Sequence, residues 1–265
     1  MQIKIVPSKQ GSQWVFEGFK LVRAQPLQLF ALTFLYLICL FICAVIPGIG
    51  QIAPLLISPL LSVGFMHGVR AVSQGQIAKP MMLFQGFKDA EGKAWQGLLL
   101  LGLVNAVVTS LGLFIAALFD DGTLLKLVTG SLKADDPALK SPSGLFTGFA
   151  TFLIVYIPLQ MALWYAPFFV AWHKMGLAQS LFSSFWAVKQ NKGAFFRYGL
   201  TWFGVTIVAS MVLQVLRIAV PSQAVMSIVL TPLSTILFAA VYSSFWPTYR
   251  DAFAVDDATS DADQR

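Results

Sequence analysis

Phe16-Glu17-Gly18-Phe19-Lys20 returns as Phe84-Gln85-Gly86-Phe87-Lys88 and, more loosely, as Phe182-Ser183-Ser184-Phe185-Trp186. Each copy sits in a short amphipathic segment, and two long apolar runs follow each one. In the first segment, Gly11 to Ala24, a 100° wheel gathers Trp14, Val15, Gly18, Phe19, Leu21 and Val22 on one arc. Gln13, Glu17, Lys20 and Arg23 fall on the other. A helix with this pattern, basic on its polar face, lies in the membrane interface. Residues 81–95 repeat it, with Leu83, Phe84 and Phe87 against Lys88, Asp89, Glu91 and Lys93. Residues 177–188 do so again, with Leu181, Phe182, Phe185, Trp186 and Val188 on one face and Gln179, Ser180, Ser183 and Ser184 on the other.

The apolar runs cover residues 27–46, 51–69, 98–119, 145–171, 198–216 and 224–246. Crossing the hydrocarbon takes about 20 apolar residues. The sequence therefore predicts an all-α integral membrane protein with six transmembrane helices. They form three repeats, 11–70, 80–174 and 177–250, each an interfacial helix followed by a transmembrane hairpin. Pro54-Leu55, Pro158-Leu159 and Pro232-Leu233 take similar places in the second run of each repeat, and Arg70, Lys174 and Arg250 close it. Residues 1–250 read as one polytopic domain, and 251–265 as an acidic, disordered cytoplasmic tail.

Composition agrees. Of 265 residues, 57% are hydrophobic and 11% charged, against about 25% charged in a domain that covers itself in water. The net charge of +6 is spread along the chain rather than gathered into a patch, so no nucleic-acid partner is expected. Lys and Arg serve orientation instead. Fourteen of the 18 fall on the side of the N-terminus, which places both termini in the cytoplasm and the three amphipathic segments against the anionic headgroups of that leaflet. The approach to the first run is too long, and lacks a small-x-small site, for a cleaved signal. Cys39 and Cys43 share a helix face inside that run and read as small packing residues.

Ile5-Val6-Pro7, Gly11, Trp14, Gly18 and Pro26-Leu27, with Ile46-Pro47-Gly48-Ile49-Gly50 and Pro59 through Gly64-Phe65-Met66, resemble an uncharacterised proteobacterial inner-membrane family. The plan of surface helix plus hairpin is more loosely similar to the membrane domain attached to some glycerophosphodiester phosphodiesterases. The resemblance implies a six-helix bacterial inner-membrane protein and carries no catalytic residue.

Polar groups at membrane depth are the default pointers to function. Asn105, Gln160 and Gln214 are the uncharged ones, and Arg217 is the one strong charge beside a run. Each amide lines a solute path or hydrogen-bonds across helices. Arg217 snorkels to headgroups or faces inward as an anion ligand. His67 and His173 stand at run ends without carboxylate or thiol neighbours, so no metal or cofactor is expected. No phosphate loop, HExxH or GxSxG occurs. The sequence thus points to a non-enzymatic inner-membrane protein with an assembly, regulatory or envelope-maintenance role and a membrane-protein partner. The alternative is a carrier or channel for a small or lipidic solute, through a central cavity between proline-kinked second, fourth and sixth helices.

Overall fold

The computed structural model describes residues 3–50, 52–88, 94–131, 142–219 and 222–253. Every regular element among them is helical. Helix α1 (Gln10–Ala24) ends at Gln25, because Pro26 restricts the residue before it to extended backbone, and Pro26 then opens α2 (Pro26–Ala44). A turn with Gly48 at φ 82° leads to α3 (Ala53–Ser73). Pro54 sits in the first turn of α3, where its missing N–H costs nothing. A 3-10 turn (Pro80–Phe84) and α4 (Gln85–Lys88) follow. Of the helix expected over 81–95, residues 81–88 form a 3-10 turn and one α turn, and Ala94 and Trp95 open the next helix. Asp89, Glu91 and Lys93 lie outside the described residues.

Next come α5 (Ala94–Ala117), α6 (Thr123–Val128), α7 (Pro142–Leu163), α8 (Ala166–His173), α9 (Leu177–Gln190), α10 (Lys192–Ala219), α11 (Gln223–Ser243) and α12 (Phe245–Phe253). Among the described residues five helical stretches are long and apolar enough to cross a membrane: Pro26–Ala44, Ala53–Ser73, Ala94–Ala117, Gly144–His173 and Lys192–Ile218. On α10, Phe196, Leu200, Phe203, Ile207, Met211, Val215 and Ile218 recur at helical spacing and are all exposed. A stripe that a water-soluble helix would bury here faces out, as lipid requires.

Two expected runs are interrupted, and the prolines say where. Pro167 has no N–H to give Leu163 O, and Pro247 none to give Ser243 O. Leu163 is the last residue of α7 and Ser243 the last of α11. Pro158 and Pro232, singled out by the repeat, sit inside continuous helices instead. Helix α12 runs on to Phe253, so Asp251 belongs to a helix and not to a tail; residues 254–265 lie outside the described residues.

The chain forms two compact units. The first holds residues 1–39, 61–88 and 187–265. Its core is the apolar face of α1, with Trp14, Val15, Gly18 and Val22 buried against α10, α11 and α12. The wheel found this face correctly, but protein covers it rather than lipid. A Cβ on Gly18 would stand 2.6 Å from Ala240 O and 2.7 Å from Ser244 Cβ, so only glycine admits this approach. Gly64 of α3 meets the backbone of Leu83 in the same way. The segment before α1 is tied down: Val6 N–H donates to Asn191 Oδ1 (2.9 Å), Asn191 Nδ2 donates to Lys4 O (3.1 Å), and Lys4 N–H donates to Ala252 O (2.8 Å).

The second unit holds residues 40–60 and 89–186. Helix α5 packs along α7 and against α8 and α6. The buried face of α9 carries Ser180 and Ser184, with Phe182 and Trp186 exposed and stacked at 6.3 Å. Serines inward and aromatics outward reverse the polarity order of water. This is the order expected where the surroundings are lipid and small residues allow close packing.

Candidate functional site

The four sequence candidates divide between the two units. Asn105 (α5) and Gln160 (α7) are half-buried in the second unit. Asn105 Oδ1 accepts a long bond from Thr109 Oγ1 (3.4 Å), and among the described residues no hydrogen bond joins it to Gln160. Gln214 and Arg217 belong to the first unit and are exposed on α10. No group of three His, Cys, Asp or Glu is placed as metal ligands among the described residues.

Three polar clusters emerge that composition and spacing did not reveal. The first joins the ends of the chain. Asp251 Oδ2 accepts from Gln10 Nε2 (2.7 Å) and Trp14 Nε1 (2.9 Å), and Asp251 Oδ1 accepts from Arg250 Nε (2.9 Å). Arg250 Nη2 reaches Glu17 Oε2 at 3.0 Å and Asp251 Oδ1 at 2.8 Å. Burial works against the Arg250 charge, but Asp251 and Glu17 outweigh it and raise its pKa above the ordinary value. One guanidinium thus bridges two carboxylates, and the indole of a fully buried tryptophan holds one of them. Both acids are engaged as acceptors, an arrangement that fastens α1 to α12. Beside it, the Arg70 guanidinium lies 5.7 Å from the Trp246 ring centre. Burial pushes the Tyr249 phenol up, against the opposing charge of Arg70, so Tyr249 stays neutral.

The second cluster mends a helix. At the α7–α8 break, Ser184 Oγ donates to Met161 O (2.9 Å) and accepts from Tyr165 N–H (2.9 Å). Met161 O and Tyr165 N–H are the pair an unbroken helix would join directly. The serine hydroxyl is inserted into that rung. Ser184 occupies the place of Gly18 in the repeated pentapeptide, which was the available signal.

The third lies at membrane depth in the first unit. Tyr36 and Tyr242 share a hydroxyl–hydroxyl bond of 2.7 Å, with ring centres 4.9 Å apart and Phe65 against both. Ser62 is a further partner of the Tyr36 hydroxyl.

The second unit also contains a half-open groove of about 720 Å³. The turn at Pro47-Gly48, Pro54 and Leu55 of α3, Thr109, Ser110 and Leu113 of α5, and Leu125 and Val128 of α6 line it. No residue of α7 or α11 takes part, so it differs from the cavity expected between the second, fourth and sixth helices.

No family model matches the chain, and no solved structure does. A protein of Burkholderia thailandensis described as a probable inner membrane protein is 36% identical over 260 residues, covering 97% of this chain and 96% of that protein. With that likeness along nearly its whole length, and with several helices able to cross a bilayer, the chain is a multi-pass inner-membrane protein and belongs to the family of that protein.

Proposed function

We propose that the protein is a non-catalytic scaffold of the inner membrane, acting in assembly, regulation or maintenance of the envelope through a membrane-protein partner. One observation carries this reading: the polar clusters close on the chain itself. Asp251, Arg250 and Glu17 fasten the two ends, Asn191 holds the N-terminal segment, and Ser184 mends the α7–α8 break. Each uses its polar atoms to hold backbone or a neighbouring side chain.

The finer architecture belongs to the same proposal. Helix α11, 21 residues long, is the sixth span. The three repeats share one docking rule: the amphipathic segment rests against an even-numbered span by small residues. Gly18 rests on Ala240 and Ser244 of span six, the Leu83 backbone meets Gly64 of span two, and Ser184 binds Met161 of span four. Both termini face the cytoplasm by the distribution of Lys and Arg, with anionic headgroups as the lipid contact.

The test is native mass spectrometry of the protein held in its own lipids in nanodiscs, paired with a flux assay in liposomes. A protein partner of fixed stoichiometry, with no solute movement, supports the scaffold reading. Solute movement by the purified chain alone replaces it with the carrier reading.

A further inference from the structure

We infer that the corner where the N-terminal segment meets the start of α10 binds an anionic glycerophospholipid, whose phosphate is shared by Lys4, Lys9 and Lys192. The site deepens the headgroup contact of the proposed function and rests on that contact, not on the scaffold role.

The fold itself gathers these lysines. Asn191, 2% exposed and one residue before α10, accepts from Val6 N–H and donates its Nδ2 to Lys4 O. This brings Lys4 beside Lys192. Helix α1 then crosses α10 closely: a Cβ on Gly193 would stand 3.5 Å from Ser8 Cβ, and Gly11 meets the Ala194 carbonyl with no room for a Cβ. This brings Lys9 to the same corner. All three lysines are exposed, and among the described residues none of their ammonium groups has a hydrogen-bond acceptor or a carboxylate. The acid of this corner, Asp251, precedes Ala252, whose carbonyl holds Lys4 N–H. Asp251 is already shared by Gln10, Trp14 and Arg250. Neither α1 nor α10 has an acid in its first turn, so the positive ends of two helix dipoles add to the excess. Three ammonium groups brought together by contacts that do not involve them repel one another, and an anion between them removes that cost.

The level of the corner says which anion. Helix α10 is able to cross the membrane, and its outward stripe begins at Phe196, 76% exposed. Lys192 precedes Phe196 by four residues on the same face, or about 6 Å along the axis. The lysines therefore stand one turn outside the hydrocarbon, where lipid phosphates lie. Ile5, 69% exposed and next to Lys4, offers the same lipid an apolar contact. Lysine beside an anionic leaflet is attracted to it, and this attraction favours a lipid with net negative charge over a zwitterionic one.

The experiment places the full chain in nanodiscs of phosphatidylglycerol and phosphatidylcholine in equal parts. Native mass spectrometry then reads the ratio of the two lipids that the released protein retains. The native chain is expected to retain phosphatidylglycerol in excess. Each of Lys4→Gln, Lys9→Gln and Lys192→Gln is expected to lower the ratio about fivefold, the factor that about 1 kcal/mol per lysine provides. Lys20→Gln/Arg23→Gln/Lys79→Gln removes three exposed cations elsewhere in the first unit and is expected to leave the ratio near native. Asn191→Ala keeps every charge but frees the N-terminal segment, and is expected to match the lysine variants, with unfolding temperatures in phosphatidylcholine recorded alongside. A loss in the control equal to that of the three lysine changes combined overturns the site and leaves a diffuse headgroup contact standing. A native chain without phosphatidylglycerol excess overturns both. Native retention by Asn191→Ala overturns the site as well. An excess that inorganic phosphate abolishes at constant ionic strength assigns the corner to free phosphate and overturns the lipid.

Discussion

The hydroxyl of Ser184 stands between Tyr165 N–H and Met161 O, at 2.9 Å from each, and replaces the helical rung that the α7–α8 break opens. Tyr165 and Ser184 are both fully buried, so water cannot take the place of the serine. Ser184→Ala leaves this N–H without that acceptor, at a cost of about 1–3 kcal/mol. The expected result is a clear fall in the unfolding temperature of the detergent-solubilised chain, with Ser183→Ala close to native. Identical melting of Ser184→Ala and the native protein would show that the inserted hydroxyl contributes nothing.

Gly18 makes a close contact with the end of α11. Its missing Cβ leaves room for Ala240 O and Ser244, both parts of a packed helix end rather than tips of flexible side chains. Gly18→Ala therefore has to push α1 away from α11, and overpacking of this kind costs about 1–3 kcal/mol. Gly199→Ala on α10 is the control, since nothing lies within 4 Å of its added methyl. It is expected to be neutral or stabilising by up to about 1 kcal/mol, from helix propensity alone. Equal effects of the two substitutions in a thermal melt would count against close packing at Gly18.

Much of this was legible beforehand, and the misses have physical causes. The wheel located the buried arc of α1, because apolar periodicity marks a covered face. It could not say whether lipid or protein covers it, since both are apolar. For α9 the same limit inverted the outcome: Ser180 and Ser184 pack inward while Phe182 and Trp186 face out. Polarity sorts faces against water, whereas size sorts them against lipid. The breaks after Leu163 and Ser243 could have been placed by counting four residues back from Pro167 and Pro247. The repeat drew attention to Pro158 and Pro232 instead. Asn105 and Gln160 lie on two packed helices, and among the described residues no hydrogen bond joins them, a relation that the spacing of two amides in the sequence does not report. The pairs Trp14–Asp251 and Tyr36–Tyr242 are separated by 237 and 206 residues, beyond any reading of local spacing.

Asp251 and Glu17 hold the same guanidinium but are not equivalent. Asp251 also accepts from the indole of Trp14, which is completely buried. Asp251→Ala strands that N–H and should cost about 1–3 kcal/mol. Glu17→Gln removes one arm of a pair whose side chains are 27% and 28% exposed, so about 0–1 kcal/mol is expected. A melt that ranks Glu17→Gln as the more damaging would refute this division. Arg250 adds a sign. Its folded pKa is raised above the ordinary value, so its stabilising contribution is complete below the unfolded pKa and is lost only as pH climbs through the raised one. Moderately alkaline buffer is expected to leave the Arg250-dependent part of the melting difference unchanged.

Tyr36 and Tyr242 offer the cleanest measurement of a polar contact inside the apolar layer. Their hydroxyls are 2.7 Å apart, and each Tyr→Phe substitution removes one oxygen while keeping the ring that packs on Phe65. Hydrogen bonds between membrane helices couple by about 0.6 kcal/mol on average, and by up to about 1.7. The expected double-mutant cycle of Tyr36→Phe and Tyr242→Phe lies in that range, with the double variant costing less than the sum of the singles. Tyr36 keeps Ser62 as a partner when Tyr242 is changed, which lowers the cost of Tyr242→Phe relative to Tyr36→Phe. Additive losses would mean that the two hydroxyls act independently, with ring packing alone joining α2 to α11.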